Sequence, residues 1–175
     1  MLAYTFGIPL SIFVFLLVGA LVGTAAPDPG AGIMPGLIAG GIVFALCMKA
    51  QGKANSDLEN PAPFVVDCSP ERAFSTIYGC LAEAAYGPTY WSVQPMQTTM
   101  KIIGTLKFEE PIAGGAGGMS SARRQLRLVA SVCTNALGKT VVTLKYNVYS
   151  PAGRWTCDEG IAKTTSWIKR DLMLA

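Results

Sequence analysis

Two apolar stretches fill the first 48 residues and constrain the chain more than anything that follows them. Residues 1–26 carry no charged side chain, and neither do residues 29–48. Pro27-Asp28-Pro29-Gly30 breaks the run between them. A helix from Pro9, a residue comfortable in a first helical turn, to Ala26 is about 27 Å long, close to the hydrocarbon thickness of a bilayer. The second stretch, to Met48, sits at the short end of the spanning range. The expectation is a transmembrane α-helical hairpin over residues 1–49, with spans at about 5–26 and 31–48. Thr24-Ala25-Ala26 resembles a leader cleavage site. The run before it lacks a basic n-region and is too long for an h-region, so a retained span is expected.

Lys49 and Lys53 are the basic residues nearest the two spans, and the connecting turn offers only Asp28. The positive-inside rule then places both termini in the cytoplasm, across an inner, plasma-type membrane. Glycines recur four residues apart within the spans, at Gly19 and Gly23 and at Gly32, Gly36 and Gly40. Residues four apart share a helix face, where glycine lets a second backbone approach closely. That second backbone can be the other helix of the hairpin, another subunit or a second copy of the chain.

Residues 50–63 read as a polar, proline-ended linker before a small α+β domain, 64–175. The rest of the chain from Lys49 onward holds all 14 basic residues and 10 of the 11 acidic ones. That mild excess is far from the dense basic patch of a nucleic-acid binder, so nucleic acid is not an expected partner. Phe64-Val65-Val66 reads as a short strand. Ser69-Pro70-Glu71 opens a helix with an N-cap, a proline in the first turn and an acid at the positive end. Phe74, Ile77, Tyr78, Leu81 and Ala85 would share its buried face, with Gly87-Pro88 beyond its end. Tyr90 to Gln94 reads as a strand stopping at Pro95.

Three strands with two-residue alternation follow. Met100, Ile102, Leu106 and Phe108 face the core in the first. Leu126, Leu128, Ala130 and Val132 do so in the second, and Val142, Leu144, Tyr146 and Val148 in the third. Residues 112–121, with Gly-Gly-Ala-Gly-Gly inside, form the first connection, and Asn135 to Gly138 the second. Thr156-Cys157-Asp158-Glu159 reads as a capping box opening a last helix whose Ile161, Thr165, Ile168 and Leu172 share a face. The expected fold is thus βα-βββ(β)-α, an antiparallel sheet covered on one face by two helices. This order, with the Ser-Pro-Glu-Arg-Ala-Phe helix start, resembles helix-grip and lipid-transfer-type domains.

Little in the chain suggests catalysis. It contains no histidine, the commonest general base and metal ligand. Its five cysteines, at 47, 68, 80, 133 and 157, form no CxxC pair, and reduced thiols are expected. Glu109 and Glu110 are strand neighbours and so point to opposite faces. The glycine run lacks a phosphate loop's Gly-Lys-Ser/Thr ending and leads into a strand. The expectation is therefore no enzyme, no cofactor and no metal site.

The other face of the sheet stands out. Lys101, Lys107, Arg123, Arg127, Lys139 and Lys145 alternate with the core positions, and Glu109 is the acid among them. The sequence thus suggests a non-catalytic, membrane-anchored accessory subunit of a larger inner-membrane complex. Its glycine faces would pack on other membrane subunits, and its basic face would meet an acidic partner or anionic lipid headgroups. The alternative is a membrane-tethered carrier holding a lipid or other apolar ligand between sheet and helices. Reversing Arg123, Arg127 and Lys145 to Glu should leave the fold intact and weaken assembly. Unchanged recovery of partners with the triple variant would contradict this.

Overall fold

The structure, a computed structural model, describes residues 8–25, 33–86, 89–113, 119–150 and 154–174. The chain divides into two compact units, Met1–Ser56 and Asp57–Ala175. The first holds helix α1 (Ile8–Ala25) and all but the last turn of α2 (Ile33–Glu59). Pro9 and Pro35 both fall in first turns, where a missing N–H costs nothing. The Pro27-Asp28-Pro29-Gly30 turn lies outside the described residues.

The expected linker is largely helical. Lys49, Ala50, Gln51, Lys53, Ala54, Leu58 and Glu59 are good helix formers, and α2 runs through them to Glu59. It stops at Asn60 because Pro61 disfavours a helical conformation in the residue before it. Solvent-facing polarity alone did not mark a loop. Among the described residues, α2 is the one helix long and apolar enough to cross a membrane.

The second unit is an α+β fold around a five-stranded antiparallel sheet, in the order β1-β7-β6-β5-β4. The strands are β1 (Phe64–Val66), β4 (Ser92–Met96), β5 (Lys101–Ala113), β6 (Met119–Thr134) and β7 (Thr140–Tyr149). Two-residue strands β2 (Ala85–Tyr86) and β3 (Thr89–Tyr90) pair separately. Helices α3 (Pro70–Glu83) and α4 (Trp155–Leu174) complete the unit.

The β5–β6 ladder runs from Lys101 opposite Ser131 to Ala113 opposite Met119. It shortens the expected 112–121 connection to 114–118, a stretch outside the described residues. Alternation puts Ile102, Leu106, Leu126, Leu128, Val142, Leu144 and Tyr146 on one face, all but closed to solvent. Phe74, Ile77 and Leu81 of α3 and Cys157, Ile161, Ile168 and Leu172 of α4 complete this core. The Tyr146 hydroxyl, 2.9 Å from Thr165 Oγ1, ties the sheet to α4.

Several local expectations are corrected. Ser69 caps α3 by accepting from the Arg72 N–H at 3.2 Å, but the helix ends at Glu83 and leaves Ala85 in β2. Tyr78 is 41% exposed, whereas Ala73 is fully buried. Pro95 lies inside β4 opposite Ile102, tolerated because β4 is an edge strand. Met100 precedes β5 in a left-handed turn, φ 49°. Helix α4 begins at Trp155, so Thr156 lies inside its first turn rather than at the N-cap, and its hydroxyl donates to Glu110 Oε2 at 2.7 Å.

Trp91, 6% exposed, packs over Gly104 of β5. A Cβ at Gly104 would lie 2.9 Å from Trp91 Cε3, whereas one at Gly79 of α3 meets nothing within 4 Å. Gly104→Ala should therefore destabilise the unit by about 1–3 kcal/mol through overpacking. Gly79→Ala should stabilise it by about 0.5–1 kcal/mol by relieving helix entropy cost. Urea titration of the two variants checks both signs.

Candidate interaction surface

The register decides which of the basic side chains share a surface. Lys101 and Lys107 of β5, Arg123 and Arg127 of β6, and Lys145 of β7 all stand exposed on the face away from α3 and α4. Lys139, exposed just before β7, is answered by Asp67, whose carboxylate is 3.7 Å from its ammonium. Arg123 is on the face but answered by Glu109, directly opposite it and 3.1 Å away. Among the described residues, Lys101, Lys107, Arg127 and Lys145 make no ion pair. Ile103 and Val129 lie half-buried between them, and Tyr149 is 64% exposed.

Glu109 and Glu110 point to opposite faces, as strand alternation requires. Glu110 turns inward to a polar network that sequence reading missed. Its Oε2 lies 2.6 Å from Arg124 Nε, and Arg124, 5% exposed, also donates to the Ser150 hydroxyl. With the Thr156 hydroxyl on the same carboxylate, the network joins β5, β6, the end of β7 and the start of α4. The signal was available: Arg124 and Glu110 share the parity of the core residues Leu126 and Leu106. A charge at a core position must find a partner, because an unpaired buried charge is prohibitively costly. Nearby, Arg154 bridges Glu59 at 2.5 Å and Asp158 at 3.1 Å, fastening the end of α2 to α4.

The predicted helix-packing glycines fall differently. A Cβ at Gly36 would lie 2.7 Å from the Phe15 carbonyl oxygen, and one at Gly40 2.9 Å from that of Ser11. Both glycines are buried against α1, and any larger residue would force the helices apart. Gly19 is half-exposed on α1. Gly23 belongs to α1 but its surroundings, like Gly32 itself, lie outside the described residues.

Burial pushes the Cys80 thiol up to about 12, aided by its hydrogen bond to Asp171, and raises Cys157 for the same first reason. Such thiols are protonated at neutral pH and are poor nucleophiles. Cys133 is exposed on the outer face. Among the described residues, no group of three or more Cys, Asp or Glu is arranged to hold a metal ion. A groove of about 540 Å³ runs between α3 and the β4–β5 connection, lined by Phe74, Tyr78, Pro95 and Met100 with Glu71, Ser75 and Gln97. No protein-family model matches the chain, and no curated protein matches it.

Removing the Glu110 carboxylate leaves Arg124 buried without its counter-charge. Glu110→Ala should therefore cost about 2 kcal/mol or more, discounted for the partial exposure of Glu110. Glu109→Ala, which breaks a largely exposed pair, should change stability by no more than about 0.5 kcal/mol. Denaturation midpoints of the two neighbouring variants provide the comparison.

Proposed function

We propose that the protein is a non-catalytic, membrane-anchored accessory subunit of a larger inner-membrane complex. The observation that carries this reading is the surface of the first unit. Of the twenty-three large apolar side chains exposed among the described residues, seven lie on α1 and eight on α2. Such a surface is stable in hydrocarbon or against other apolar helices, and unstable in water. In this reading α1 and α2 form a hairpin of two spans, closed at Gly36 and Gly40. Lys49 and Lys53 keep both termini in the cytoplasm. The domain that follows is a helix-grip-like α+β module that recognises rather than transforms.

The carrier reading has one supporting observation, the groove beside α3 with its apolar lining and volume in the range of ligand pockets. Against it stands the interior between sheet and helices, where Ile77, Leu81, Leu106, Leu126 and Tyr146 are fully buried and fill the space a carrier would keep open.

Three measurements test the proposal. The chain should remain with membranes under alkaline extraction, and an impermeant maleimide should reach exposed Cys133 only after the inner membrane is permeabilised. Release into the aqueous fraction overturns the anchor, and labelling in intact cells overturns the orientation. Mild-detergent purification should recover the chain with a fixed set of membrane proteins. Migration as a lone chain overturns the subunit reading.

A further inference from the structure

The pairing register gives the outer sheet face a charge pattern that residue spacing alone does not show. Val129 of β6 stands opposite Lys145 of β7, and Gln125 stands opposite Lys107 of β5. Arg127 lies between Val129 and Gln125 on β6. Lys145, Arg127 and Lys107 therefore fall on one diagonal, each about 7–8 Å from the next. Lys101 adds a fourth positive charge on the same face, at the start of β5. This spacing is within the screening length of about 8 Å at physiological salt, so the charges repel one another. Glu109, the acid on this face, is already held by Arg123. An external array of anions would relieve that repulsion.

Three features favour lipid headgroups over an acidic protein as that array. The face is an open sheet surface with Ile103 and Val129 half-buried in it, rather than a cleft that would grip a chain. Tyr149 opposes Gln125 in the same row as Lys107, and is 64% exposed. An amphipathic ring in that position suits a membrane–water interface. The tether is also short. Residues 49–59 are helical and residues 60–63 are not, so the chain from Met48 to Phe64 spans at most about 35 Å. A bilayer around α2 would thus be presented to the domain at high effective concentration, which a free protein would not match.

We propose that this face docks on anionic lipid headgroups of the bilayer that holds the apolar helices, through Lys101, Lys107, Arg127 and Lys145. The proposal rests on the anchoring reading above and names the partner of its basic face. Contacts with other subunits then fall to the helices and the remaining surface of the domain.

The test uses the full chain in nanodiscs of phosphatidylcholine alone, or of phosphatidylcholine mixed equally with phosphatidylglycerol. Lysine acylation rates are read by mass spectrometry, with Lys163 on α4 as the internal reference. Lys101, Lys107 and Lys145 should be acylated about fivefold or more slowly in the anionic discs, and added salt should restore their rates. Arg127→Glu should restore the rates at the three lysines without changing that of Lys163. Equal rates in both kinds of disc overturn the headgroup contact while leaving the anchor intact. Protection seen only in the natively purified assembly, and lost in anionic discs, assigns the face to an acidic protein and also overturns it. A chain that never enters the discs overturns the anchor and this proposal together.

Discussion

The pairing of β5 with β6 is the constraint on which the second unit depends. A shift of one residue in that ladder would turn one strand over relative to the other. The face that carries Leu126 and Leu128 would then carry Lys101 and Lys107 in place of Ile102 and Leu106. Neither α3 nor α4 could then cover the sheet. The hydrophobic pattern of both strands and the buried Arg124–Glu110 contact each favour the same register, one through apolar burial and the other through charge pairing. Two unrelated forces thus select a single arrangement.

That buried contact also gathers parts of the chain far apart in sequence. Glu110 receives Arg124 from the neighbouring strand and Thr156 from α4, while Arg124 reaches Ser150 at the end of β7. Arg154 draws Glu59 toward the same end of α4. Charged groups are costly to bury, so their value is in specificity: few other packings of these helices would satisfy all of them. In the first unit, close packing does comparable work. Glycines at 36 and 40 let α2 approach the backbone of α1 where any side chain would collide.

The two faces of the sheet divide packing from exposure to solvent. One face is consumed by packing against α3 and α4. The other keeps four cations unanswered, although acids placed beside them would have neutralised the repulsion. Cys80 and Cys157 are held protonated, and the Glu110 carboxylate is committed to structural contacts.

Much of this was legible in the residues themselves, because it depends on neighbours in sequence. The two-residue alternation of Leu126, Leu128 and Ala130, the Ser69 cap, the turn at Asn135 to Gly138 and the apolar character of α1 and α2 all follow from local chemistry. Features that depend on a distant partner do not. Thr156 reads as a cap yet lies inside α4 with its hydroxyl on Glu110, and Lys139 reads as an unanswered cation yet has Asp67 3.7 Å away. Residues 50–59 looked like linker because polarity reports solvent contact, whereas helix formation there depended on propensity and on Pro61. Which residues avoid water and how strands alternate is written in the order of the residues. Which charges remain unanswered is settled by the fold, because a charge is neutralised by whatever comes within a few ångströms of it.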